Sequence, residues 1–276
     1  MGTWIMAGVT FREAARRRIL WTALILGLGF LAVFGIGVHF QVEDFKVHPL
    51  MPLLRYEVLA GMLMVGLYTV DLLAVVMTIL TSMDTISGEI TTGTIQAIAT
   101  KPIHRWQLLL GKWLGFTGMV GAYVAIMFGG TVGVTYWICG VAPNHPLAGG
   151  LLVFMECVLV LTITILCGTW FSTLTSGVLV LGLHGLAFMG GWIEQMSGFT
   201  QTANLVLVGI VSSLIMPTES VWRRAAFEMQ SAVAGSLNFS PFADVSVPSL
   251  TMIAYAGVYM LVALGIAIHH FNQRDL

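Results

Sequence analysis

The amino-acid sequence predicts an all-α integral membrane protein with six transmembrane helices. Hydrophobic residues make up 57% of the 276-residue chain and charged residues only 9%, whereas soluble domains carry roughly a quarter charged residues. Six apolar runs reach the length of about 20 residues that a helix needs to cross a bilayer. The formal net charge is −1, and no basic run has interleaved aromatic residues. These features exclude a nucleic-acid-binding protein.

The chain begins with residues 3–18, where apolar side chains are interleaved with arginines, a pattern that predicts an interfacial helix on the headgroup surface. The predicted spans cover residues 19–38, 58–81, 106–137, 147–171, 177–195 and 249–270. We interpret residues 39–57 as a polar connection between the first two spans. The first run is too long for the apolar core of a signal peptide and no Ala-x-Ala site follows it, so we expect it to remain as a span.

Residues 196–248 form the longest interval between spans. Within it, residues 204–216 are apolar but too few to cross the bilayer, which predicts a re-entrant or interfacial helix before the last span. Residues 222–230 predict a second short helix with an amphipathic pattern. Because no repeat and no soluble domain is visible, residues 1–276 are expected to form one transmembrane domain.

The basic residues predict the orientation of the spans. Eight of the twelve lie on the side of the N-terminus and four on the opposite side. Because basic residues concentrate on the cytoplasmic side, we expect both termini in the cytoplasm and the chain in the plasma (inner) membrane. The eight are Arg12, Arg16, Arg17, Arg18, Lys101, Arg105, Lys112 and Arg274, and the four are Lys46, Arg55, Arg223 and Arg224.

A polar interval, residues 84–104, separates the second and third predicted spans. Its charged and helix-breaking residues cannot lie in hydrocarbon, so the interval must meet water, headgroups or another protein. It predicts a short helix outside the bilayer that ends at Pro102, because the residue before a proline is biased away from helical conformation. Together with the start of the third span it carries one continuous pattern: Gly88, Glu89, Gly93, Thr94, Lys101, Pro102, Arg105, Leu108, Leu109, Leu110, Gly111, Lys112 and Gly115.

This pattern resembles the cytosolic coupling segment of type-2 ABC transporter permeases, a mostly exporting family whose ATPase is a separate chain. Within that family the nearest resemblance is to the permease of transporters that help to mature nitrous oxide reductase. A second patch, Pro217-Thr218-Glu219 followed by Trp222-Arg223, is similar to an element of the same subfamily. The resemblance implies a fold like that of type V ABC transporters, with an N-terminal interfacial helix, a cytosolic coupling helix and a re-entrant segment.

The resemblance also implies a function. We expect a permease subunit that exports an unidentified substrate by alternating access, powered by an ABC ATPase subunit that holds the ATP and Mg. It implies a second permease chain, the same or different, and contact with membrane lipids, but no cofactor in this chain. The implied ATPase-coupling interface comprises Gly88, Glu89, Gly93, Thr94, Lys101, Pro102 and Arg105.

Simpler interpretations remain open for several of these residues. Glu89 is also consistent with a solvated loop carboxylate that contributes about 0–1 kcal/mol. Arg105, Trp106 and Lys112 are also consistent with anchors of the third span at the inner membrane interface.

Three ionisable residues lie inside predicted spans. Asp71 and Glu156 are acidic and His184 is titratable, and a charge at such depth costs at least ~2.5–3.5 kcal/mol. They are therefore expected to face the protein interior, water or a partner. They either line the transport path or form structural pairs, and for Asp71 the hydroxyls of Thr162 and Thr164 are candidate partners.

The sequence contains no motif of an enzyme or of a metal site. Gly111-Lys112 is followed by Trp113, so it is not a phosphate-binding loop. Cys139, Cys157 and Cys167 have no metal-ligand spacing, and the methionines and histidines form no cluster that fits copper. The rival functions are an ion-coupled secondary transporter working through Asp71, Glu156 and His184, and a non-transporting structural subunit of a larger membrane complex.

Overall fold

The structure, a computed structural model, describes residues 2–88, 104–200, 203–230 and 247–273. These ranges contain helices and turns but no strand. The described helices are α1 (Gly2–Arg16), α2 (Arg18–Val47), α3 (Pro52–Ser82), α4 (Arg105–Cys139), α5 (Pro146–Trp170), α6 (Thr173–Thr200), α7 (Ala203–Ile215), α8 (Thr218–Met229) and α9 (Leu250–Gln273). Six of them are long and apolar enough to cross a membrane, which confirms the six predicted spans: α2, α3, α4, α5, α6 and α9.

The polar connection predicted for residues 39–57 is wrong, because most of it is helical. Helix α2 continues to Val47 and α3 begins at Pro52. The charged residues in this stretch pair along the helix surface, with Lys46 Nζ 2.5 Å from Glu43 Oε1 one turn away. A helix of 30 residues is about 45 Å long at 1.5 Å per residue, so it extends beyond a hydrocarbon core of about 30 Å.

The long helices place two groups of helix ends at opposite ends of the bundle. Helices α2 and α4 begin at one end of the bundle, and helices α3, α5 and α9 terminate there. We call this the motif end and the opposite one the far end. Contacts between helix ends fix this arrangement: Arg105 Nη1 donates to the Asn272 carbonyl at 3.4 Å, and the rings of Trp170 and His270 lie 5.5 Å apart. The pattern residues of the third span therefore lie near the C-terminal end of α9.

Helices α3 and α5 form the centre of the bundle. Their side chains include fully buried residues such as Val70, Ala74, Leu159 and Leu161. Helix α2, in contrast, leaves most of its apolar side chains exposed. Because lipid tails are as apolar as these side chains, such a surface is stable only in a membrane.

Helix α1 packs on the first turns of α4 with almost no space between the two backbones. A Cβ atom built on Gly111 would lie 2.9 Å from the Thr3 carbonyl oxygen, and one built on Gly115 would lie 2.8 Å from the Ala7 carbonyl oxygen. The two glycines are four residues apart and so lie on one face of α4. They are in the position where small residues allow membrane helices to approach closely.

Helices α7 and α8 form a hairpin with a bend of 103°. Helix α7 confirms the helix predicted for residues 204–216, whereas α8 begins four residues before the predicted residue 222. The C-terminal end of α8 meets the start of α5, where the His145 N–H donates to the Glu228 carbonyl at 3.2 Å. Both ends of the hairpin thus lie at the far end of the bundle, and its re-entry into the bilayer stays a prediction.

Replacing Gly115 with alanine should loosen α1 from α4. The added Cβ meets the Ala7 backbone oxygen, which cannot move without shifting the helix, so we expect a loss of about 1–2 kcal/mol. Gly133→Ala is the matched control, because a Cβ there meets nothing within 4 Å. The better helix propensity of alanine should make that variant more stable by up to about 1 kcal/mol. Thermal unfolding in detergent measures both, and equal shifts of the two variants would contradict the proposed close contact.

Candidate functional site

The last described residues before the predicted coupling helix are a compact turn, residues 83–86, and the helical residues Ser87 and Gly88. We call residues 83–88 together the anchor turn. It follows α3 directly and is closed by the Gly88 N–H, which donates to the Asp84 carbonyl at 3.0 Å. Its middle residues Thr85 and Ile86 are buried. A turn this buried next to a predicted water-facing segment must be held by neighbouring elements.

The first of these elements is the junction between α1 and α2. Arg17, the single non-helical residue there, donates from Nη1 to the Asp84 carboxylate and from Nη2 to Glu13 Oε1 at 3.1 Å. Burial opposes the charge of the guanidinium, but the two carboxylates outweigh this effect and raise the pKa of Arg17 above its usual value. Arg17 is therefore charged at any physiological pH, and the pair ties the N-terminus of α2 to the anchor turn.

The second element is α4. Lys112 is only 3% exposed, and its Nζ donates to the Thr85 carbonyl oxygen at 3.0 Å. The alternative in which Lys112 anchors the third span at the membrane interface does not fit this contact, because its ammonium group points inward. A buried ammonium group is stable only when it is hydrogen-bonded, so this contact fixes the start of α4 against the anchor turn.

The third element is the short connection between α5 and α6. The Ser87 hydroxyl lies 2.8 Å from the Thr173 hydroxyl and 3.1 Å from the Met83 carbonyl oxygen. A serine hydroxyl has one hydrogen, which goes to the carbonyl, so the Thr173 hydroxyl donates to Ser87. The buried Ile86 side chain also lies against Gly168 of α5.

The predicted coupling interface is only partly described by the structure. Gly88 ends the anchor turn and Arg105 begins α4. The other predicted interface residues lie outside the described residues, and their role stays a prediction: Glu89, Gly93, Thr94, Lys101 and Pro102.

Sequence reasoning missed the partners of the anchor turn. Arg17 was one of four basic residues in the first 18, and nothing in the pattern separates it from Arg16 or Arg18. The one available signal was position, because a charged residue between two helices is free to turn toward a neighbouring loop. Thr173 gave no signal.

Two of the three predicted intramembrane residues lie together. Asp71 of α3 and Glu156 of α5 are 6% and 1% exposed, and their carboxyl groups interact electrostatically. Asp71 Oδ1 and both carboxylate oxygens of Glu156 have no hydrogen-bond partner among the described residues. The suggested partners of Asp71 are occupied otherwise, because the hydroxyls of Thr162 and Thr164 donate to carbonyls of their own helix at 2.7 and 2.8 Å.

The third residue, His184 of α6, lies apart from this pair. Its Nδ1 is 3.2 Å from the hydroxyl of Thr218, the first residue of α8. On the next turns of α8, Arg223 pairs with Glu194 of α6 at 2.9 Å. The Trp222 ring packs edge-on against Tyr68 of α3, with ring centroids 5.1 Å apart.

Helix α7 ends beside α9, and its last carbonyl groups lack partners of their own helix. Two hydroxyls of α9 supply them: Tyr255 donates to the Leu214 carbonyl at 2.7 Å and Tyr259 to the Ile215 carbonyl at 2.9 Å. The two tyrosines are four residues apart and therefore share one face of α9. Their hydrogen bonds fix the bend of the hairpin against the last span.

The described ranges contain no group of three or more histidine, cysteine, aspartate or glutamate side chains that could hold a metal ion. Six apolar helices packed around a largely hydrophobic core define a multi-pass membrane protein. A family model described as ABC-2 family transporter protein matches residues 5–276. The chain therefore belongs to the ABC-2 transporter family and is a permease subunit, and in that family the ATPase activity resides in a separate chain. No curated protein matches the sequence at a significant level.

Removing both hydroxyls that bind the end of α7 should destabilise the hairpin. Each hydrogen bond contributes about 0.5–1.5 kcal/mol, so we expect Tyr255→Phe with Tyr259→Phe to lower the free energy of unfolding by about 1–3 kcal/mol. Tyr136→Phe, which removes a hydroxyl from the exposed end of α4, is the control and should change little. Thermal unfolding in detergent is the measurement, and a double variant as stable as the control would contradict the capping role.

Glu156→Gln should stabilise the protein. The amide keeps the shape of the side chain, removes one of two buried acidic groups and offers an N–H to Asp71, so the midpoint of unfolding should rise by the equivalent of about 1 kcal/mol. Glu43→Gln removes a carboxylate from an exposed ion pair and should change stability by less than about 0.5 kcal/mol. A clear loss of stability in Glu156→Gln would show that the carboxyl group has a favourable partner in the intact assembly.

Proposed function

We propose that this chain is the permease half of an ATP-driven exporter, and that residues 84–104 are the surface on which its ATPase acts. In this proposal two permease chains and two ATPase chains form the transporter. ATP binding closes the ATPase dimer and displaces the predicted helix that begins near Glu89. The spans on either side of this helix then open a path by alternating access.

The observation that carries the proposal is the anchor turn. It stands between α3 and the predicted coupling helix, and charged or polar contacts hold it to the α1–α2 junction, to α4 and to the start of α6. A loop that only connects two spans has no need of a buried lysine on its backbone. A loop that receives force does, because a slack attachment would absorb the motion instead of passing it on.

The orientation, the subfamily and the membrane belong to the same proposal. The positive-inside rule supports a cytoplasmic location for the motif end and both termini, and hence a plasma (inner) membrane location for the chain. The nitrous oxide reductase maturation subfamily is supported by the patch around Thr218 and Arg223, two residues that are buried and bonded in the α7–α8 hairpin.

One observation favours a rival function. The buried pair of Asp71 and Glu156 would serve an ion-coupled secondary transporter, in which acidic residues inside the membrane bind and release the coupling ion. The two functions differ in their energy source. Transport into vesicles that needs ATP supports the exporter, and transport that continues without ATP but follows the pH gradient supports the rival.

Glu89→Lys should uncouple the permease from its ATPase. Reversing the charge at the start of the predicted docking helix should lower the amount of co-purifying ATPase, or the ATP hydrolysis of the complex, by about tenfold, equivalent to 1.4 kcal/mol. The measurement is purification of the tagged full-length chain from its own membranes, followed by identification of chains with a phosphate-binding loop.

The control is Glu43→Lys, an equal charge reversal on an exposed residue of α2 at the far end. This variant should retain the ATPase. If Glu89→Lys leaves partner binding and hydrolysis at the control level, or if no nucleotide-hydrolysing chain co-purifies with the unaltered protein, the proposed function is wrong.

A further inference from the structure

Among the described helices, only α3 adjoins the anchor turn in sequence, yet the non-covalent contacts of the turn reach the start of α2, α4, α5 and the start of α6. The strongest of these contacts involve two cations from different elements, Arg17 and Lys112, which bind adjacent residues of the turn, Asp84 and Thr85. A displacement of the turn therefore acts on both cations at once.

Lys112 is a rigid attachment. Its side chain is buried and donates to the Thr85 backbone oxygen, so this contact has no flexible group on the acceptor side. Breaking it would leave the buried Thr85 carbonyl without this donor, which costs free energy comparable to a lost hydrogen bond. Motion of Thr85 must therefore move the start of α4.

Arg17 joins two helices that are held differently. It precedes α2 by one residue, and α1, on its other side, contacts the α4 backbone through Gly111 and Gly115. Because α1 cannot slide over these glycines without collision, α1 and the first turns of α4 form one body. A pull on Asp84 is thus resisted by α1 and passed to the N-terminus of α2.

We propose that Arg17 and Lys112 are positioning residues that transmit the motion of residues 83–88 to α2 and α4 together, so that the first span moves with the second and third. This inference rests on the proposed function, since it names the route by which the coupling segment would drive the bundle. It predicts that the first span responds to nucleotide although it is not adjacent in sequence to the coupling segment.

The test uses the full chain in complex with its co-purified ATPase, reconstituted in lipid nanodiscs. Spin labels are placed on Val47→Cys at the far end of α2 and Leu250→Cys at the start of α9, two exposed positions, in a Cys139→Ser background. The distance between the labels is measured without nucleotide and with ATP and vanadate. With Arg17 and Lys112 intact the distance should change on trapping.

Arg17→Ala and Lys112→Met should each reduce this change by at least half. Arg17→Lys, which keeps the charge, and the exchanged pair Arg17→Asp with Asp84→Arg should restore it, which a loss of folding could not explain. Arg16→Ala is the matched control, because Arg16 is exposed one residue away, and it should leave the change intact.

Each outcome separates the two proposals. If the unaltered complex shows no nucleotide-dependent change, the proposed function fails and the inference fails with it. If the unaltered complex responds and Arg17→Ala with Lys112→Met responds equally, the inference is overturned while the proposed function stands. If the variants lose the response and the exchanged pair does not recover it, the Arg17–Asp84 contact is not the route.

Discussion

The structure depends on one constraint: inside a membrane, polar groups must find their partners within the protein because no water is available. The constraint explains features that are otherwise unrelated. Lys112 turns inward to a backbone carbonyl, Arg223 is buried against Glu194, and the end of α7 is capped by hydroxyls of another helix. Each of these contacts joins two elements, so the need to satisfy polar groups is also what holds the bundle together.

The sequence was sufficient for the six spans, because run length and apolar composition alone decide whether a helix can cross a bilayer. It failed at the first connection. The charged residues there indicated a loop, but they pair along the surface of a helix that continues past the hydrocarbon, as Lys46 and Glu43 do. It left two interpretations of Lys112 open, because position near a span end does not reveal which way a long side chain turns. Contacts between helices, such as Asp71 with Glu156, depend on packing that no local pattern encodes.

Close packing and charged contacts have complementary roles at the motif end. The glycine contacts between α1 and α4 are short but non-directional, and they resist sliding. The contacts of Arg17 and Lys112 are directional, and they fix the anchor turn relative to the helices. Gly111 and Gly115 belong to the same sequence pattern as Glu89, so the pattern includes packing residues of α4 as well as the segment proposed to meet the ATPase.

The capping of α7 by Tyr255 and Tyr259 has a consequence for biogenesis. The acceptor carbonyls precede their donors by 41 and 44 residues, and the donors lie in α9. While the protein is being synthesised, the hairpin therefore has no caps until α9 has left the ribosome and entered the bilayer. The α7–α8 unit should thus settle only after α9 is in place.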